Sequence, residues 1–529
     1  MTVTEKSAPD LAGSQTSRSR IMSNSAYSVL AYMLYLPVNF FVSVYVVHRI
    51  GWAQFGVWAS LTTILGYGGF LELGISTPLI KYVAEYMALG RRREINVLVS
   101  TAMVFYLAVG SAFFVSMVLA SGWILHHVFH ASSHDFASLR LFYIAVIGGF
   151  VLALSFSVLS SLVVGLQRAD LIARRGLIVN LSSSVFNVTA VSLGYGVGGL
   201  ACGWLFTAAL GFVLNWQIAK RLFPPLRLNP FLFRLARLKM ILHFSAKVQV
   251  TTLTLTLNDQ VDQTLILYAL GQRQAGYFAF AARIAFGVRS FSLCLMSGIM
   301  AAASDLAAAK ETARLRELYI RTTRYLMIID LGLCAAVAGM AHPITKLLLS
   351  HELAGGSARV ALSLMIMLAG YAIWLPSQAT SDILNGLGRP EIRMRADVSF
   401  LLIHIPISAF LIWRFGFYGT IIGTSATLVM TRMYVYTAGA RALGVAVPDL
   451  ARSSFLQPAV AALIALATVV AMQLLLAEPA IMTVVVDGAL FVCIYAVYVY
   501  FRGFDTYDRA VVHSLTRPFF HALVARARL

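Results

Sequence analysis

The chain nearly repeats itself at an interval of about 220 residues, and that interval constrains its architecture more than any other feature. Ser25-Ala26 recurs as Ser245-Ala246, and Gly51 and Gly56 recur as Gly271 and Gly276. Glu85, near a helix end, has Asp305 opposite it in the second copy. Gly165-Leu166-Gln167-Arg168 and Arg174 return as Gly386-Leu387-Gly388-Arg389 and Arg395, while Gly196, Gly199 and Gly203 return as Gly416, Gly419 and Gly423. One single-residue insertion accommodates the whole alignment. A duplicated bundle of hydrophobic helices with a seam down its middle is the plan of alternating-access transporters.

At 59% hydrophobic and 12% charged residues, with a mean hydropathy of +0.79, the chain is far more apolar than soluble domains. Crossing a hydrocarbon core takes about 20 residues of helix. Fourteen stretches qualify: 23–47, 55–80, 97–125, 139–164, 172–193, 197–219, 244–269, 275–302, 321–344, 360–385, 396–414, 418–438, 453–477 and 480–501. The expected fold is therefore an all-α polytopic membrane protein of about 14 transmembrane helices, in two parallel-related six-helix lobes plus a C-terminal helix pair. The expected division is a disordered cytoplasmic tail over 1–22, an N-terminal lobe over 23–219 and an amphipathic linker over 220–243. A C-terminal lobe over 244–438, two additional helices over 453–501 and a basic tail over 502–529 complete it. The tail is polar without an apolar run, so no cleaved signal peptide is expected.

The net charge of +19 suggests nucleic acid until its positions are read. With the amino terminus inside, 33 of the 41 Lys and Arg fall in cytoplasmic segments or the cytoplasmic halves of the spans, and the outer loops and outer span ends hold Arg49, Arg140, Arg273, Lys346, Arg359 and Arg414. This is the positive-inside bias, so the basicity orients the chain, places both termini in the cytoplasm and argues against nucleic acid as a partner. Cys202, Cys294, Cys334 and Cys493 all lie in predicted spans without paired spacing and read as packing residues.

The longest connection, Lys220 to His243, carries Pro224-Pro225 and then basic residues interleaved with Phe231, Leu232, Phe233, Leu235 and Leu238. That pattern fits a helix lying in an anionic interface, or a plain tether. The other connections are short, leaving no room for a soluble domain. Pro37, Pro376, Pro406 and the run Gly66-Tyr67-Gly68-Gly69 are potential helix breaks.

Charges inside hydrocarbon face a cavity or a partner, and here they gather in the second copy. Asn258-Asp259-Gln260-Val261-Asp262-Gln263 puts Asp259 and Asp262 on one helix face, where two carboxylates in low dielectric make a proton or cation site. Arg283 and Arg289 follow on the next helix, with Asp259 and Arg283 at a similar depth of roughly 15 Å. Their bland reading is an ion pair locking two helices; the functional one is a phosphate held by the planar guanidinium fork. Arg283 and Arg289 are the expected cargo-binding residues, and Asp259, Asp262 and Asp330 the expected ion-coupling residues. Glu72 and Asp382 sit nearer helix ends, and Asp487 reads as a local partner within the last helix pair.

His126, His127, His130 and His134 have helical spacing but lie at a helix end with only Asp135 nearby, so no metal site is assigned. Gly194-x-Gly196-x-Gly198-Gly199 lies between two spans with no βαβ context and is a tight turn. No Walker motif is present, and neither a cofactor nor a catalytic group is expected.

Three stretches carry a resemblance: GGFLELGISTPLIKYVAEYMALGRR from Gly68, NDQVDQTLILYALGQRQAGYFAFAARI from Asn258, and the paired GLQR and GLGR motifs. They resemble the multidrug/oligosaccharidyl-lipid/polysaccharide exporter superfamily, and within it the bacterial polysaccharide-unit flippases. The resemblance covers the first twelve helices, and Asp262, Gly271 and Gly276 match its pattern. It implies two six-helix lobes around a cavity, and a lipid-pyrophosphate-linked oligosaccharide moved from the cytoplasmic to the outer leaflet of the inner membrane. It also implies an H+ or Na+ gradient as driver and, as partners, a polysaccharide polymerase and assembly proteins. The concentration of intramembrane charge in one lobe departs from the family and leaves the coupling ion open. Rivals are a drug/cation antiporter of the superfamily, against which the arginines argue, a murein-precursor flippase, and, from another class, a membrane-embedded polymerase or glycosyltransferase, for which the short loops offer no catalytic constellation.

Overall fold

The computed structural model describes residues 11–72, 74–129, 136–294, 296, 299–349, 354–475 and 481–509, with side chains from Pro37 onward apart from scattered positions, Asp259 and Cys294 among them. Among these residues the chain is helical and forms no strand. The helices in the first half are α1 (Leu11–Gly68), α2 (Ser76–Ala88), α3 (Arg92–His127), α4 (Phe136–Gly165), α5 (Ala169–Ser192), α6 (Gly196–Leu222) and α7 (Leu235–Leu270). There follow α8 (Gln272–Cys294), α9 (Ile299–Ala308), α10 (Thr312–Gly339), α11 (Ala341–Leu348), α12 (Ala354–Gly386), α13 (Pro390–Phe415) and α14 (Phe417–Ala442). The last are α15 (Val447–Leu450), α16 (Gln457–Leu475) and α17 (Ile481–Tyr498). Eight described helices are long and apolar enough to cross a membrane, by length and composition. The chain is an all-α polytopic membrane protein of about fourteen helices. α1 is two helices joined at Gly51, whose backbone (φ 75, ψ 173) leaves the helical region. It runs on through a 3₁₀ turn at Gly69–Glu72 to α2, so the break falls at the predicted glycine run.

The duplication is legible bond by bond in the backbone. After α2, the N–H groups of Leu89, Gly90 and Arg91 return to the carbonyls of Glu85, Met87 and Tyr86. After α9, Ala309, Lys310 and Glu311 return to Asp305, Ala307 and Leu306 in the same pattern. Each is a helix stop with one residue in the left-handed region, Gly90 (φ 68) in one copy and Lys310 (φ 57) in the other. The GLQR and GLGR motifs are a second such pair. Leu166, Gln167 and Arg168 bond back to Leu162, Val164 and Val163, while Leu387, Gly388 and Arg389 bond back to Ile383, Asn385 and Leu384. The leading glycines repeat their packing as well: a Cβ on Gly165 would meet Val83 and the Ile80 carbonyl, and one on Gly386 would meet Ala303 and the Met300 carbonyl.

Compactness divides the chain elsewhere, into Met1–Gly276 and Tyr277–Leu529. α7 explains the difference, because its hydrogen bonds run to the first unit. Gln263 donates to Ser60 Oγ (3.0 Å), and the hydroxyls of Tyr67 and Thr264 pair at 3.0 Å. Also within the first unit, a Cβ on Gly56 would lie 1.8 Å from the Gln272 carbonyl oxygen, and one on Gly276 2.3 Å from that of Trp52. Trp52 and Gln272, like Gly56 and Gly276, occupy equivalent repeat positions. The contact is therefore reciprocal, as at a two-fold crossing. The core of this unit joins α2, α3 and α4 through Leu79, Tyr106 and Leu159. In the second unit α16 and α17 lie on α10, with Ala336, Ala461 and Phe491 in contact and the Tyr495 hydroxyl donating to the Ile328 carbonyl at 2.7 Å.

One expectation narrows and one changes. Of the two readings of the linker, the tether is the one the backbone follows: after α6 it extends, makes one 3₁₀ turn at Pro230–Leu232, and enters α7 directly at Leu235 without a helix of its own. α3 supplies the competing partners. Asn96 donates to the Pro225 carbonyl (2.9 Å) and accepts from the Arg227 N–H (3.0 Å), while Ser100 and Thr101 accept from the N–H groups of Asn229 and Arg234. Phe231 is left 93% exposed. At the other end, residues 11–22, expected as disordered tail, are helical from Leu11 onward. No proline interrupts that stretch, and extending an existing helix costs no new nucleus.

Candidate functional site

In the second unit the site residues gather along the latter half of α8. Gly271 (φ 85) stops α7 and lets α8 start at Gln272, so Arg283 lies about 16 Å and Arg289 about 26 Å along the new helix. Both are half-buried. The Arg289 guanidinium lies 4.8 Å from the ring centre of Trp374 on α12 and 5.7 Å from that of Phe286 on its own helix. Stacking between aromatic faces holds a guanidinium charge away from water and leaves its edge for an acceptor. Trp374 is buried two residues before Pro376, the proline inside α12.

Asp330 sits on α10 with its side chain fully buried. Neither carboxylate oxygen has a hydrogen bond among the described residues. The equally buried Ser292 of α8, one turn on from Arg289, interacts with it without meeting hydrogen-bond geometry. A carboxylate buried in a membrane helix with only a serine hydroxyl nearby is the kind of group that takes up a proton or a cation. Through Ser292, Asp330 lies beside the same end of α8 that carries Arg289.

Asp262 is buried on α7 in the first unit, within electrostatic reach of Tyr67. Its neighbours show why this polar run tolerates apolar surroundings. Gln263 also donates to the Ala275 carbonyl (3.2 Å), and Gln260 fits against Gly66 because that residue has no Cβ. The side chain of Asp259 lies outside the described residues, as therefore does its expected pairing with Arg283. So do His130 and His134; His126 and His127 are exposed at the end of α3. Cys202 and Cys493 are exposed and Cys334 is buried, all three as free thiols, while the Cys294 side chain is outside the described residues.

Sequence reasoning missed a buried ion network. Arg432 of α14 donates to Asp397 of α13 at 2.7 Å, and Arg393 lies 3.6 Å from Asp397 and 3.7 Å from Asp382. Counting Arg432 and Arg393 among cytoplasmic charges hid them, although Arg393 and Asp397 already show i,i+4 spacing. Arg175 was hidden in the same way, six residues inside α5. Asp487 is buried and accepts from Gln473 at 3.0 Å, the local pairing its position suggests.

Comparison with solved structures finds the same fold in transporters. An inward-facing multidrug resistance MATE family transporter of the MOP superfamily matches with a TM-score of 0.66 at 14% identity, covering 81% of this chain and 99% of the other. The lipid II flippase MurJ in an inward closed conformation matches with a TM-score of 0.70 at 11% identity, covering 93% and 99%. A MOP superfamily transporter from Pyrococcus furiosus, described by the reversed polarity of its binding pocket, matches at 0.56 and 14% identity, covering 80% and 95%. These proteins are transporters and a flippase, not enzymes. Comparison with the curated proteins returns no match. The sequence model of the family described as "Polysaccharide biosynthesis protein" matches residues 50–355, from the second half of α1 to the start of α12. Because that match spans more than half of the chain, the protein belongs to this polysaccharide biosynthesis family, built on the membrane-transporter fold of the MOP superfamily.

Proposed function

We propose that the protein is an alternating-access flippase of the bacterial inner membrane, both termini cytoplasmic, that moves a lipid-pyrophosphate-linked oligosaccharide to the outer leaflet. The cargo would feed exopolysaccharide, capsule or O-antigen synthesis, and an H+ or Na+ gradient would drive the cycle. The observation that carries the reading is the placement of Arg283 and Arg289 far along α8 in a chain of this family. A guanidinium fork suits a pyrophosphate, whereas a cationic drug would be repelled. The bare carboxylate of Asp330, and Asp262 with Asp259 on α7, are the proposed coupling groups.

The test is a deletion strain complemented with variants, scored for lipid-linked sugar retained in the inner leaflet and polymer at the surface. Arg283→Ala should cut transport by about 10- to 100-fold, the worth of a charge-assisted hydrogen bond, and Arg283→Lys should retain a fraction. Asp262→Asn and Asp330→Asn should weaken the dependence on the cation gradient while leaving membrane levels intact. If Arg283→Ala transports normally at wild-type levels, α8 does not hold the cargo. A structural lock predicts instead that Arg283→Ala and Asp259→Asn both lose expression and that the charge-swapped double variant recovers.

A further inference from the structure

The seam between α4, α5 and α6 in the first unit encloses a cavity of about 270 Å³. Its polar lining comes from Ser157 and Ser160 of α4, Arg175 and Asn180 of α5, and Thr207 and Asn215 of α6. Arg175 is the anomaly. The span from residue 136 to residue 222 contains one acid, Asp170, and both of its oxygens are taken by Arg168, at 2.9 and 3.0 Å. Arg175 has no ion pair among the described residues, and its Nε is buried without a hydrogen bond. The first 36 residues, where side chains are not described from Leu11 to Leu36, contain no acid in that stretch to complete it.

The surroundings are shaped to keep this guanidinium in place. A Cβ on Gly211 would fall 2.3 Å from Arg175 Nη2, so α6 is bare where the side chain crosses it. Asn215 donates to Ser160 Oγ at 2.8 Å, and Ser160 lines the cavity with its O–H still available as a donor. An arginine, a free hydroxyl and no acid form a receptor for an anion. The remaining wall is aromatic: Phe156 and Phe212 lie with ring centres 3.8 Å apart, beside Trp204.

Farther along the same three helices lies an apolar groove of about 480 Å³, between Phe142 of α4, Phe186 and Ala190 of α5, and Gly198 and Cys202 of α6. Phe142 and Gly149 on α4, like Phe186 and Val179 on α5, are seven residues apart and share one helix face, so the groove lies about two turns farther along the seam that holds the polar cavity. A charged head position continued by an apolar channel is the outline of an amphiphile. We propose that this seam binds the phosphate of a membrane lipid, its charge on Arg175 and one chain in the groove beside Phe142 and Phe186. The site lies wholly within the first unit, is separate from the arginines of α8, and does not depend on the flippase reading. The phosphate chemistry is shared by glycerophospholipids and polyprenyl phosphates.

The experiment is native mass spectrometry of the full chain in nonionic detergent, titrated separately with phosphatidylglycerol, a polyprenyl phosphate and uncharged diacylglycerol. At least one phosphate lipid should bind, weakened tenfold or more by Arg175→Gln and less by Arg175→Lys. Which of the two shows that dependence identifies the source. Gly211→Ala, which keeps the charge but crowds the guanidinium out of its position, should weaken the same lipid. It also serves if Arg175→Gln fails to fold. Diacylglycerol should show no dependence on Arg175. Equal affinity of wild type and the folded variants for both phosphate lipids would overturn the proposal, as would an equal loss of diacylglycerol, which would mark a greasy groove only.

Discussion

The same three-helix seam occurs once in each unit, and the two copies treat their arginine differently. In the second, α13 and α14 bury Arg432 against Asp397 at 2.7 Å, with Arg393 on the other side of the carboxylate. In the first, α5 and α6 set Arg175 beside Gly211 with no acid paired to it among the described residues. The repeat aligns Asp397 with Gly176 and Arg432 with Phe212. After duplication the charges were therefore placed independently, on a backbone that kept its stops and turns. A paired seam holds its helices together; an unpaired one has charge left over for something else.

The largest effect expected from this contrast is on stability. Asp397→Leu strands Arg432 in a buried position, and breaking a buried pair from one side costs about 3–5 kcal/mol. Folded protein recovered from membranes should collapse, and adding Arg432→Met should restore much of it, because an apolar pair of similar volume is often as stable. Arg175→Met should be neutral or slightly stabilising in lipid-free detergent, since it removes a charge with no protein partner. Equal losses from Asp397→Leu and Arg175→Met would erase the distinction between the seams.

A second effect concerns the crossing at Gly56 and Gly276. Both positions face backbone, which cannot swing aside as a side chain can, so either alanine should cost about 1–3 kcal/mol of overpacking. Because the contact is reciprocal, separating the helices once relieves both intrusions. The double alanine variant should then cost clearly less than the sum of the singles, in thermal unfolding of the purified protein. Strict additivity would mean that the two clashes are independent and the crossing is not two-fold in character.

Much of the fold was legible because the signals were local. The run of apolar stretches predicts the spans, and the glycines at 51, 271, 196 and 416 mark turns that do take positive φ. The sequence left the linker open between an interfacial helix and a tether because its rivals were distant: nothing in residues 220–243 reveals that Asn96, Ser100 and Thr101 of α3 will claim its backbone. The charges at 175, 393 and 432 were lost for another reason. Arg175 and Arg432 lie inside the spans 172–193 and 418–438, but within two or three turns of a cytoplasmic helix end, where they were counted with the charges that orient the chain, and that count erases what makes them interesting. Arg283, Arg289 and Asp330 were visible because they stand deep in long apolar segments.

The smallest effect tests the likeness of the two copies rather than their difference. The two repeat-related pairs of helix stops each place one residue in the left-handed region, and glycine occupies only one member of each pair. The first unit has Gly90 but Gln167; the second has Gly388 but Lys310. A side chain there costs about 1–2 kcal/mol relative to glycine, and the greater freedom of glycine in the unfolded chain returns about 0.4–1 kcal/mol of that. Gln167→Gly and Lys310→Gly should therefore each stabilise by roughly 0.5–1 kcal/mol, raising Tm by on the order of 1 °C in a chain of this size. Having no shared partners, they should add. The converse changes, Gly90→Lys and Gly388→Gln, should destabilise by similar amounts, since each installs the residue its counterpart already tolerates. Leu89→Gly is the control: its φ of −82 is open to any residue, so glycine there brings only the entropic loss. If Lys310→Gly destabilises while Gln167→Gly stabilises, the Lys310 side chain makes a contact that outweighs its backbone, and the second copy has put that stop to a use the first has not.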